Sequence, residues 1–499
     1  MILRRFSNSI TWILFFITSL DLVLAKTTHH AEDKTVTLNL LRTQPILQSH
    51  KATLAKRQAV VETAPLQNFY GREYTVEIGV GTPPQHFNVT IDTGSTFFWV
   101  ASTECPSEEC PGSRFNPKAS STYQSQFGSF RLTYAIGDAR GNPATDTVTI
   151  GNSLSVPNQV FGAVTGTSNF LTNAFDNPSS GILGLGFPAL QSATSGISGD
   201  PFVTNLIKNN LISAPIFSVY MNSQYQYGSL GGAAITFGGI DQTKYTGELK
   251  YTAVQPYTII MAGINNEYLY WSVKGASIGA TFTGGQPYTH AMTNEDVVFD
   301  TGSTISYAPP DVVRGLVEGI TGKPGNFSEE NQLYFVDCNI RNNGGQLTLQ
   351  LADNIDLTVS INELIFPLET LDPRDASSCV FAFAPMQTSS TGSSLDYITY
   401  LLGQSVMRSF YTVHDMGNHR MGFAPAVLSA MTDDSLGHAR PTPSQDSNWR
   451  PMNPAGTPGS GNENAASSAP AAFGSYFKQV SLNYHFAMLI LVAILAVHL

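Results

Sequence analysis

At 499 residues the chain exceeds one compact core, so two or three domains plus terminal segments are expected. Its 43 glycines, 28 prolines and 13% charged residues exclude a long-helical or disordered protein. The net charge is -11 overall and -16 once the basic first 57 residues are set aside, which argues against a nucleic-acid-binding surface and fits one relieved of self-repulsion in acid.

The N-terminus reads as an export signal over residues 1–25. Arg4 and Arg5 precede an apolar run, Ile10 to Leu24, that ends at Ala25 before Lys26. An uncleaved membrane anchor is the alternative, but the run falls short of the ~20 residues a spanning helix needs. Residues 26–57 are basic, lack a core-sized apolar pattern and stop at Lys56-Arg57, so they read as a propeptide released by a kexin-like protease.

From Tyr70 to about Ala424 short alternating segments such as Tyr74 to Val80, Phe130 to Tyr134 and Thr147 to Ile150 are broken by Gly, Pro and Asn, the pattern of strands joined by turns. Helix is limited to stretches such as Phe202 to Asn209 and Pro310 to Ile320. The body is therefore all-β. Within it Val89-Thr90-Ile91-Asp92-Thr93-Gly94-Ser95-Thr96 recurs as Val297-Val298-Phe299-Asp300-Thr301-Gly302-Ser303-Thr304. Each copy is followed by a strand-and-glycine run, Ile182 to Gly186 and Tyr400 to Gly403. Two related β lobes, residues 70–245 and 246–425, account for this spacing. Residues 426–474 are Pro/Ser/Gly/Ala-rich and read as a flexible spacer.

Asp-Thr-Gly after two apolar residues puts a carboxylate at a strand end, where glycine lets the chain turn and bring amides toward it. One such tripeptide is common by chance; two in matching strands are not. If a pseudo-twofold axis relates the lobes, Asp92 and Asp300 meet on it, share a proton and titrate as a unit. The ionised member then takes a proton from water while the other donates to the scissile carbonyl oxygen. The customary assignment starts Asp92 as the base-side carboxylate and Asp300 as the acid. Thr93 and Thr301 are expected to cross-link the two loops, and Ser95 and Thr304 to bond the carboxylates from outside.

The two Asp-Thr-Gly-Ser segments, Phe237 to Asp241 with Tyr245-Thr246-Gly247, and Phe410 to Val413 continuing to Arg420 to Ala424 together resemble the pepsin-type aspartic endopeptidases over about residues 70 to 425. The terminal layout is similar to the fungal secreted or yapsin-like cell-surface branch. The resemblance implies an all-β, bilobal pepsin-like acid protease fold and a monomer that binds extended peptide or protein substrates in a long cleft, without cofactor or metal. Carried over residue by residue, Asp92, Thr93, Gly94 and Ser95 with Asp300, Thr301, Gly302, Ser303 and Thr304 form the site. Tyr134 resembles the flap tyrosine and Trp99 the tryptophan that bonds it. Ala135 and Ile136 depart from the usual flap, where a glycine and a small or acidic residue stand, and Asp138 is nearby without an assigned role. A catalytically inactive pepsin-fold binding or adhesion protein is the alternative, but it has no chemical need for two intact carboxylates.

The cysteines pair in sequence as Cys105 with Cys110 and Cys338 with Cys379. A zinc site at Cys105 and Cys110 would lack its remaining ligands, so two disulfides are expected, matching the family's first-lobe and second-lobe bridges. His86, His290, His414 and His419 have no nucleophile partner or metal spacing. Sequons at Asn88 and Asn326 are candidate glycosylation sites, with Asn326 in the more open stretch.

Residues 475–499 read as a glycosylphosphatidylinositol signal. The apolar end, Phe486 to Leu499, would span ~21 Å as helix against a ~30 Å hydrocarbon core and lacks a basic flank. Small-residue triplets at Asn464 and Ser467, with Gly474 as a fallback, suit attachment to an outer-leaflet lipid. The expected location is thus the plasma membrane or cell wall by way of the secretory pathway, with the secreted extracellular form as the alternative.

Overall fold

A computed structural model describes residues 59–427, apart from 135–136, 169–178, 195–196, 227–231, 260–262, 283–285, 294, 369, 371–372 and 387–397. The leader, Lys56 and Arg57, the spacer beyond 427, Asn464, Ser467, Gly474, the apolar tail and the flap tip at Ala135 and Ile136 lie outside the described residues. Among the described residues no helix is long and apolar enough to cross a membrane.

The fold is mostly β and bilobal. The strand Glu62–Phe69 shows how sequence sets direction: its residues alternate between buried and exposed, the period of a strand with one face on the core. Glu62 points inward because its carboxylate accepts the amides of Asn152 (2.9 Å) and Ser153 (3.1 Å).

Each repeat folds the same way. Gln85–Asp92 runs parallel to Gly181–Gly184, with Asp92 opposite Gly184. Asp296–Phe299 runs parallel to Ile398–Leu402, with Phe299 opposite Leu402. These are the two strand-and-glycine runs that the sequence repeat singles out. Each fixes the carbonyl or amide of its aspartate: the Leu185 amide donates to the Asp92 carbonyl at 2.8 Å, and the Asp300 amide donates to the Leu402 carbonyl at 2.9 Å.

The lobes share strands. Ile216–Tyr220 lies between Ala234–Phe237 and Phe410–Asp415, which pairs on its far side with Arg420–Pro425, and that strand pairs with Lys250–Ala253. The expected division at 245/246 therefore falls inside a sheet to which both halves contribute. The ordered body also starts ahead of residue 70, since Val60 bridges to Ile212 and Glu62–Phe69 pairs on both edges.

The helices at Phe202–Lys208 and Pro310–Thr321 match the sequence reading; those at Pro188–Thr194 and Gln404–Met407 were not anticipated. Both disulfides, Cys105 to Cys110 and Cys338 to Cys379, are formed, and no cysteine is free among the described residues. Asn326 is exposed on a strand, while Asn88 is half-buried opposite Glu77.

Candidate active site

Asp92 ends Gln85–Asp92 and Asp300 directly follows Asp296–Phe299, both strands buried along their last residues, which leaves Asp92 and Asp300 only 6% and 7% exposed. Past each aspartate the chain turns, and its amides fold back onto the carboxylate. Gly94 and Ser95 donate to Asp92 Oδ1 at 2.9 and 3.1 Å. Gly302 donates to Asp300 Oδ1 at 2.8 Å. The Gly94 amide also reaches Asp300 Oδ1 at 3.1 Å, so one N–H is shared by two carboxylates that lie 208 residues apart in sequence.

Side chains at these two glycines would not fit. A methyl group on Gly94 would lie 2.6 Å from Asp300 Cγ, and one on Gly302 would lie 2.5 Å from Asp92 Oδ1. The glycines are needed for close approach of one loop to the other carboxylate.

The threonines form the expected cross-link. Thr93 Oγ1 donates to the Phe299 carbonyl at 2.8 Å and accepts the Thr301 amide at 2.9 Å. Thr301 Oγ1 donates to the Ile91 carbonyl at 2.9 Å and accepts the Thr93 amide at 3.1 Å. Both hydroxyls are fully buried, so each bond is made in a medium where leaving it unmade would cost ~1–3 kcal/mol.

The outer bonds differ from the expectation in one place. Ser95 donates to Asp92 Oδ2, as anticipated. Thr304 instead donates to the Arg72 carbonyl at 2.6 Å. Ser303 bonds Asp300 Oδ2, at 2.6 Å. The reason is spacing: Ser303 stands three residues after Asp300 as Ser95 does after Asp92, and only that offset brings the hydroxyl back over the carboxylate.

Burial first, and the adjacent Asp300 charge second, hold the Asp92 carboxyl well above the ordinary carboxylate range, against the pull of Ser95 and Gly94. Two acids this close keep one proton between them. The symmetric donors on both sides let the proton sit on either member.

Trp99 Nε1 donates to the Tyr134 hydroxyl at 2.8 Å. Burial raises that phenol above its ordinary range, Asp92 adds to the rise, and hydrogen bonds to Trp99 and Ser95 oppose it. Tyr134 is thus linked through Ser95 to Asp92. The sequence reading missed Tyr270, whose hydroxyl is pushed up to about 12 by burial with Asp300 and Asp92 adding. No motif marks it; only folding brings it near the pair. No group of three His, Cys, Asp or Glu suited to a metal occurs among the described residues. Two buried acids that are supplied with donors and share a proton suit activation of water.

Comparison with known proteins supports the same reading. The sequence profile of "Eukaryotic aspartyl protease" matches residues 73–426. Human (Homo sapiens) gastricsin is 33% identical over 362 residues, 71% of this chain and 81% of that protein. Pepsin A of Rhinolophus ferrumequinum is 31% identical over 391 residues, 77% and 90% respectively. Cathepsin E of Mus musculus is 33% identical over 377 residues, 73% and 82%. With that coverage and with two buried aspartates meeting between the lobes, the chain belongs to the eukaryotic aspartyl protease family.

Proposed function

We propose that Asp92 and Asp300 are the catalytic residues of this aspartic endopeptidase, acting on extended peptide segments in acid. The observation that carries the assignment is the Gly94 amide shared between both carboxylates. The ionised carboxylate takes a proton from water, whose oxygen attacks the scissile carbon, and the protonated one donates to the carbonyl oxygen. The gem-diol then collapses with a proton delivered to the departing amine, and no acyl-enzyme forms. Thr93 and Thr301 hold the loops in register, Ser95 and Ser303 orient the carboxylates, and Tyr134 with Trp99 closes over substrate.

Around this core, residues 26–57 serve as an inhibitory propeptide, since the +5 charge of residues 1–57 contrasts with the -16 of the rest, and a kexin-like protease releases them after Arg57. Asn326, and less readily Asn88, carry N-glycans. The C-terminal segment directs a lipid anchor at Asn464, Ser467 or Gly474, which gives a monomer on the cell surface in the manner of yapsin-like enzymes.

The test is kcat/KM for a diverse peptide library from pH 3 to 7, with and without a statine-containing peptide that mimics the gem-diol. A single shared proton gives a bell-shaped profile, and the raised Asp92 carboxyl moves the alkaline limb to higher pH. A flat profile, or inhibition by chelators and not by statine, overturns the reading.

A further inference from the structure

The hairpin that carries Tyr134 is supported further than its own two strands. Phe130–Tyr134 pairs with Gly137–Ile150, which pairs along its length with Leu154–Ser168. At the tip end Thr133 stands opposite Asp138, and Asp138 opposite Ser168; one step back lie Leu132, Ala139 and Thr167, then Arg131, Arg140 and Gly166. Opposed residues in antiparallel strands share a face, so this three-stranded sheet has two unlike sides. Phe130, Leu132 and Ala139 pack with Trp99 on the apolar side, with Tyr134 against them. Arg131, Asp138, Arg140 and Ser168 stand on the other.

That second side is cross-tied. Arg131 Nη2 donates to Asp138 Oδ2 at 3.0 Å, and Ser168 Oγ donates to the same oxygen, so one carboxylate joins all three strands next to the tip. Asp138 is buried although its partner Arg131 is largely exposed. Two register steps further, Arg140 Nη2 donates to Glu109 Oε2 at 2.9 Å, and from the step between, the Thr167 amide donates to the same oxygen at 2.9 Å. Thr167 Oγ1 adds a bond to the Glu109 carbonyl at 2.7 Å. Glu109 belongs to the loop closed by Cys105 and Cys110. The hairpin is thereby fastened at two successive levels, one of them to a disulfide-pinned loop.

We propose that Asp138 and Glu109 are positioning residues that brace the flap from its outer side and so hold Tyr134 in the place where Trp99 and Ser95 reach it. The brace acts on substrate capture. Without it the flap samples open positions, and the bound state must supply the ordering. The chemistry at Asp92 and Asp300 is untouched once substrate is closed in. This inference rests on the reading of those aspartates as the catalytic pair and of Tyr134 as the flap residue.

The experiment uses the purified, processed protein and its Asp138→Asn and Arg131→Gln variants, with peptide kinetics and amide hydrogen exchange measured on each. Asp138→Asn keeps the shape and removes the charge; Arg131→Gln alters a side chain exposed enough that folding is not at stake. Both are expected to raise KM about five- to tenfold with kcat within about twofold, and the double variant to be no worse than either single one. Exchange should quicken at residues 131–140 and stay unchanged at 92–95. Wild-type KM and wild-type flap exchange in both variants overturn the brace, as does a fall in kcat alone. Asp92→Asn is run alongside: if it keeps turnover, the underlying reading fails, whereas its loss beside unchanged Asp138→Asn kinetics refutes the brace alone.

Discussion

A single buried histidine sets a limit on how acid the working range can be. His414 is fully buried, its ring stacked on Phe217 at 4.4 Å and edge-on to Trp271, and neither ring nitrogen has a hydrogen-bond partner. Burial lowers it from 6.5 to about 3. The folded state therefore holds it neutral while the unfolded chain takes up a proton near 6.5, so stability falls as pH drops from about 6.5 toward 3, by a few kcal/mol in all at ~1.4 kcal/mol per unit. His414→Phe should flatten that loss, read as a urea midpoint that no longer falls between pH 6 and 3.5; an unchanged slope would show that His414 plays no part. At the same scale, Thr301→Val removes both bonds that its hydroxyl makes across the lobes. Activity should drop about ten- to a hundredfold with the disulfides and circular dichroism intact, because the inter-loop geometry loosens. A rate equal to wild type would mean that the cross-link does not set the geometry.

At the scale of elements, the repeated Asp-Thr-Gly strands were legible because a motif, the apolar residue before it and a later glycine run recur together, and each proved to be one parallel pairing. The helices Pro188–Thr194 and Gln404–Met407 were not legible, since seven and four residues are too few for a helical period to show. The strand Gly137–Ile150 was seen only at its end, Thr147 to Ile150, because Gly141, Asn142 and Pro143 interrupt the alternation ahead of it. Cross-strand pairing to Leu154–Ser168 carries it through a register shift at Gly141. Thr304 was given the bond that Ser303 makes because sequence offers two adjacent hydroxyls and only the turn chooses between them. The Cys338 to Cys379 bridge closes a separation of 41 residues, for which chain entropy gives about 4 kcal/mol. Replacing both cysteines with alanine should lower unfolding stability by about 2–4 kcal/mol, and the five-residue Cys105 to Cys110 loop should cost less. Equal losses from the two would contradict the entropic account.

For the whole molecule, the two lobes are held by the shared sheet and by a buried ion pair that no motif announced. Arg408 is fully buried and donates from Nε to Glu363 Oε2 at 2.7 Å, from Nη2 to the Glu363 carbonyl at 2.8 Å, and from Nη1 to the Gly71 carbonyl at 2.9 Å. Ser223 and the Gln224 amide complete the Glu363 carboxylate, so segments from both halves of the chain meet on one charge pair. Glu363→Ala leaves the guanidinium uncompensated and should cost about 3–5 kcal/mol in urea unfolding, while replacing both partners with apolar residues should recover much of it. A single-variant loss under 1 kcal/mol would contradict this. What the lobes enclose is a pair of acids brought within one amide of each other, and the most direct test of that claim is the hydrolysis rate of purified Asp300→Asn against wild type at the acid optimum. The account predicts a loss of at least about a thousandfold with an unchanged circular dichroism spectrum; a folded Asp300→Asn protein that cleaves within tenfold of the wild-type rate would contradict it.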